Sequence, residues 1–131
     1  PEVRVHVVGN QCFGLRITSR ADDYRFPGDC PVEYAPTEVP PAIAALCVEA
    51  TKQLGLVVSG IDLKICESTG EWHCFEANPM PGYSHYDRHL GGRIAAALVE
   101  YLEHHSPRRP NLRANPNGRQ HDHSGRASLV S

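Results

Sequence analysis

Apolar and polar residues alternate one for one over the two opening runs: Val3, Val5 and Val7 with Arg4 and His6 between them, then Phe13, Leu15 and Ile17 with Gly14, Arg16 and Thr18. A period of two marks a strand, because successive side chains point to opposite faces. A two-residue turn at Gly9 and Asn10 would put the valines on the face of Arg16, whereas a three-residue loop, Gly9 to Gln11, keeps the apolar residues together. The pattern predicts the longer loop, and with it Arg4 opposite Arg16. Paired arginines tolerate each other when an anion lies between them, and guanidinium geometry suits phosphate oxygens; two side chains fanning into water is the plainer alternative.

A second hairpin follows. Ile61, Leu63 and Ile65 alternate with Asp62 and Lys64, and Trp72 to Ala77 is rich in apolar and aromatic residues. Between them Glu67 to Glu71 reads as a three-residue loop whose last position, Gly70, accepts the left-handed conformation. With Glu67 facing Glu71, the register pairs Ile65 with His73, Leu63 with Phe75 and Asp62 with Glu76, and places Asn78 on the face of Glu76. Like charges directly across a pair are destabilising, so a cation is expected between the two acids. A hard divalent ion such as Mg²⁺ takes this set of oxygen ligands. The alternative is that Lys64, on the same face, neutralises one acid and water solvates the other. A one-residue slip or a bulge would separate the pair.

Pro79 and Pro81 hold the residues before them extended, and Gly82 permits a sharp turn, so Asn78 sits at a rigid strand exit. GIDLK, then CFEANPMPGY, with EVRVHVVG before them, resembles the end of an ATP-grasp domain, in particular that of the RimK-type carboxylate-amine ligases. The likeness spans roughly Val3 to Leu102. It implies that Asp62, Glu76 and Asn78 hold the Mg²⁺ (or Mn²⁺) of ATP, and that Arg4 lies near the phosphates. It further implies that ATP phosphorylates a carboxylate and that an amine attacks the acyl-phosphate to give an amide. Asp23, Tyr24 and Arg25 resemble a short element whose arginine reaches the active site; a surface salt bridge is the alternative for Arg25. Arg16 has no counterpart, and Glu2 stands where the family has Asp. The family's N-terminal domain and its glycine-rich, lysine-bearing clamp have no counterpart either, so the chain is expected to be the C-terminal portion of a longer enzyme, inactive alone.

Elsewhere, Pro41 opens an amphipathic helix with Ile43, Leu46, Cys47, Ala50 and Leu54 on its inner face and Gly55 as its stop. Ala21 to Pro36 reads as a surface loop. Ser84 caps a short turn with Asp87 three residues on, and a helix from Arg93 buries Ile94, Leu98 and Leu102. The expected fold class is α+β, a mostly antiparallel sheet with the helices on one face.

The 131 residues carry a net charge of −2, but His104 to Ser131 alone carries +4, leaving −6 for residues 1–103. The body is therefore no nucleic-acid binder by charge, and no apolar run suits a membrane span or signal peptide. The domain is expected over 1–103 and a disordered tail over 104–131. Five cysteines, Cys12, Cys30, Cys47, Cys66 and Cys74, show no CxxC spacing and suit a reducing cytoplasm. Tyr83, His85, Tyr86, Arg88 and His89 crowd the exit of the acidic hairpin, where the family shapes its acceptor site. With Cys66, His73 and Cys74 they also offer a metal-binding module as a rival reading; a non-catalytic remnant or interaction module is another.

Overall fold

The computed structural model describes residues 2–19 and 31–106. Five strands form one antiparallel sheet in the order β3-β2-β1-β4-β5: β1 Glu2–Val8, β2 Gln11–Ser19, β3 Val32–Thr37, β4 Val58–Ile65 and β5 Trp72–Asn78. Helix α1, Pro41–Gln53, joins β3 to β4, and α2, Ser84–His89, and α3, Arg93–His105, follow β5. The α+β class and the antiparallel sheet are as expected.

The helices do not share one face. Ile43, Cys47 and Val48 of α1 pack on Val3, Val5, Val7, Ile61 and Leu63, while Ile94 and Ala97 of α3 pack on Val8, Phe13 and Leu15 from the other side. A sheet covered on both faces has no single apolar face to preserve. That is why the longer β1–β2 loop is not used. The turn is the two-residue one, with Val8 opposite Gln11 and Gly9 at φ 58°, the positive φ that glycine supplies at the first position of a tight hairpin turn. Consequently Arg4 faces Leu15 and Arg16 faces Val3, so the expected Arg4–Arg16 pair does not exist. Arg16 is exposed on the side opposite Arg4.

The supposed loop up to Pro36 contains β3, which pairs Thr37 with Gly14 and Val32 with Ser19. Pro36 does not forbid a strand here, since β3 is an edge strand that donates nothing on its outer side. Helix α1 is rotated from the expected face: Leu46 and Leu54 are exposed, and the buried positions are Cys47 and Thr51. Thr51 is accommodated because its hydroxyl bonds the Cys47 carbonyl at 2.8 Å and the Ser59 hydroxyl at 2.6 Å, which removes the penalty of burying it. In α3, Ile94, Ala97, Leu98 and Tyr101 face inward and Leu102 does not. This helix runs two residues past the expected boundary at 103.

Ser84 caps nothing. Asp87 instead accepts hydrogen bonds from the Ile94 and Ala95 amides at 2.7 and 3.2 Å, closing the start of α3 from the neighbouring helix.

Candidate active site

The face of the sheet covered by α2 and α3 carries the polar residues of interest. On β1 these are Arg4 and His6, on β4 Gly60 and Asp62, on β5 Glu76 and Asn78; Arg4 lies opposite Asp62, Asp62 opposite Glu76, His6 opposite Gly60 and Gly60 opposite Asn78. The two acids are neighbours as expected, but by a different route. The β4–β5 loop is one residue longer than expected, with Cys66 donating to the Glu71 carbonyl at 2.9 Å. Leu63 therefore pairs with Cys74, Lys64 with His73 and Ile65 with Trp72. A bulge between Asp62 and Leu63 then restores the register at Asp62 and Glu76. The cost falls on Phe75, which does not pair with Leu63 and is 66% exposed.

The cation beside Asp62 is Arg4, not Lys64. Arg4 Nη1 donates to Asp62 Oδ2 at 2.5 Å, with the arginine side chain 7% exposed and the aspartate 26%. Lys64 reaches away to Glu2 Oε1 at 2.8 Å and sits 5.1 Å from the Phe75 ring centroid. Glu76 is exposed, and no ion pair engages its carboxylate among the described residues. Asn78 Oδ1 accepts from the Met80 amide at 2.8 Å. That bond fixes the side chain at the strand exit and leaves the oxygen a second lone pair. Two carboxylates of which one is open to solvent, plus an oriented amide oxygen, are the chemistry of a hard-cation site. The set fits magnesium.

Arg4 is enclosed by groups that the strand pattern did not single out. The Tyr86 ring lies 5.6 Å from its Cζ, and His6 packs 5.1 Å from the same ring. His6 is fully buried with neither ring nitrogen hydrogen-bonded. Burial first, and the nearby Arg4 charge second, push its pKa down to about 4, opposed by the charges of Asp62 and Asp87. It is neutral at physiological pH. Gly60 supplies clearance: a Cβ there would lie 2.6 Å from Arg4 Nη2 and 2.7 Å from Pro81 Cβ. A glycine interrupting a strand pattern was the available signal for this close approach. Tyr34, His85 and His89 extend the aromatic surface, with Tyr34 stacked on His89 at 4.8 Å and edge-on to His85 at 4.9 Å.

Arg25 and Cys30 lie outside the described residues. Among those described, no group of three or more His, Cys, Asp or Glu side chains gathers in a metal-binding cluster. Cys66, His73 and Cys74 do not join the histidines of α2 in one. No helix among the described residues is long and apolar enough to cross a membrane.

The RimK-like ATP-grasp domain family matches residues 1–102. The chain belongs to this family of ATP-grasp ligases. A curated member, "Probable alpha-L-glutamate ligase 2" of Shewanella amazonensis, is 29% identical over 103 residues, covering 78% of this chain and 34% of its own length. A Chryseobacterium gregarium RiPP-associated ATP-grasp ligase, solved with ADP and a leader and core peptide, shares 26% identity and a TM-score of 0.69. That match covers 84% of this chain and 35% of the other. The ATP-grasp ligase PsnB, solved with Mg, ADP and a variant of its minimal precursor, shares 25% identity at a TM-score of 0.61, over 76% of this chain and 32% of its own. The chain thus spans about a third of the length of these relatives.

Proposed function

We propose that the body ending with α3 at His105 forms the magnesium- and phosphate-facing part of an ATP-dependent carboxylate-amine ligase. The observation that carries the reading is Asp62 beside Glu76, with Asn78 on the same face and Arg4 against Asp62. Asp62, Glu76 and Asn78 would hold the metal. Magnesium, when bound, offsets charge on the phosphates during transfer. The chain's own residues do the rest by placement: Arg4 presents a guanidinium walled from bulk water, suited to phosphate oxygens, and Arg25 is assigned a second phosphate contact by resemblance. None of them acts as a nucleophile.

The product is an amide formed through an acyl-phosphate. The named relatives include a glutamate ligase and ligases solved with precursor peptides, which favours amino acids or peptides as the carboxylate and amine. The four described cysteines are all unpaired, which suits a reducing cytoplasm.

The test is turnover in a form that also carries the nucleotide clamp. Asp62→Asn and Glu76→Gln each keep the shape of a ligand and remove its charge, and each should reduce ATP consumption at least about 100-fold, as loss of aligned, charge-stabilised phosphate does. Lys64→Ala should leave turnover near wild type. One observation favours a second reading, a non-catalytic scaffold: Asp62 already has a cation partner in Arg4. Under it, the wild-type form would itself show no ATP turnover, and neither acid substitution would change that. The 131-residue chain alone should bind Mg-ATP only weakly, and micromolar binding in a calorimeter would contradict the assignment as a part of a larger site.

A further inference from the structure

A buried guanidinium needs to be held, and here one charge-assisted bond to Asp62 holds one end and leaves the rest of the group to its walls. Arg4 is 6% exposed, its Nη1 meets Asp62, and its Nε finds no acceptor. What surrounds it is shape and π density. The Tyr86 ring stands 5.6 Å from Cζ, within the range where a ring face attracts a cation. His6, tilted 47° to that ring, lies two residues along the strand on the same face, and Gly60, directly across from His6, lets Arg4 and Pro81 approach closely. Tyr86 is itself backed by Tyr34 of β3 at 6.3 Å and by His85 at 5.4 Å, both edge-on. Its ring therefore has a fixed seat.

We propose that Tyr86 is a positioning residue for Arg4, with His6 as the side wall of the slot. The segment from Asn78 to Tyr86 acts as one clamp. At one end Asn78 is oriented by the Met80 amide, in the middle Pro81 lies over Gly60 beside Arg4, and at the other end Tyr86 covers the guanidinium. The Asn78 amide and the guanidinium paired with Asp62 are thereby set by the same nine residues of chain. The value of this to catalysis rests on the ligase reading; the slot itself does not.

Side-chain ¹⁵N NMR of the full 131-residue chain, without metal or nucleotide, reads the slot directly. In wild type the Arg4 Nε–H should exchange slowly with water and its Nη signals should be resolved by hindered rotation, unlike those of exposed Arg16. Tyr86→Leu keeps apolar bulk and removes the π face. It should speed Arg4 Nε–H exchange about tenfold or more, with Val5 and Val7 backbone amides as protected as before, and Tyr86→Phe should restore the wild-type signals. A folded Tyr86→Leu chain with unchanged Arg4 signals would overturn the proposal. If that variant does not fold, the wild type decides: Arg4 Nη signals averaged like those of Arg16 mean there is no slot. A failed ligase reading shows elsewhere, as absence of ATP turnover in a wild-type form that also carries the nucleotide clamp.

Discussion

Gly60→Ala concentrates the geometry of the site in one methyl group. An ideal Cβ at this position would lie 2.6 Å from Arg4 Nη2, 3.0 Å from Arg4 Cζ and 2.7 Å from Pro81 Cβ. Normal carbon contacts lie near 3.5–4.0 Å, so each neighbour must retreat by up to about 1 Å. Arg4 cannot swing freely, since the Tyr86 ring stands 5.6 Å from its Cζ and Asp62 holds its end. Overpacking of this kind costs about 1–3 kcal/mol. For a folded body of this size each kcal/mol lowers the melting temperature by about 4–8 °C. The decisive assay is a double-mutant cycle by thermal and urea unfolding. Arg4→Ala removes the nearest obstacle and leaves Pro81 in place, so Gly60→Ala should cost at least about 0.5 kcal/mol less in the Arg4→Ala background than in wild type, the size of coupling expected for residues in contact. Additive effects would refute the argument that Gly60 exists to make room for Arg4.

Three further outcomes follow from individual side chains. His6 has its folded pKa at about 4 against 6.5, so between those values the unfolded chain binds the extra proton and stability falls as pH drops. The full effect, reached below pH 4, is at most about 3 kcal/mol, and His6→Phe should flatten that part of the stability–pH curve; an unchanged slope would show that His6 is not buried neutral. Thr51→Val strands the buried Ser59 hydroxyl at about 1–3 kcal/mol, and adding Ser59→Ala should recover most of the loss, which a cumulative destabilisation would disprove. Among the described thiols Cys66 should be alkylated first at pH 7, because hydrogen bonds from Ser68 and then Thr69 pull it down to about 6 while burial pushes Cys47 up to about 12; mass spectrometry showing Cys47 modified before Cys66 would reverse that ordering.

The strands and helices around the two hairpins were legible because period and punctuation agreed: Pro41 and Gly55 bound α1, and alternation marked β1, β2 and β4. What failed was every inference that assumed one buried face. Alternation reports that a strand has two kinds of face, and it is silent on whether the polar-looking face is covered too. Arg4 and His6 hold the polar positions of that alternation, yet both are buried, because one pairs with Asp62 and the other is buried neutral under Tyr86. The missed β3 has the same origin, since an edge strand carrying Pro36 and exposed Glu33 lacks a buried-strand pattern. Asp62 opposite Glu76 came out as expected only because the longer turn and the bulge offset each other. No local rule supplies a bulge. Asp87 capping α3 and Tyr86 covering Arg4 are tertiary contacts that spacing alone does not encode.

Whether Asp62, Glu76 and Asn78 form a metal site can be measured on this chain itself. Mn²⁺ titrated at millimolar concentrations into ¹⁵N-labelled protein should broaden the Asp62, Glu76 and Asn78 signals first, because a paramagnetic ion held by these oxygens sits within a few ångströms of all three. Mg²⁺ should compete the effect away, and Asp62→Asn with Glu76→Gln should abolish it while the fold is kept. Broadening that begins elsewhere, or that survives in the double variant, would contradict the account.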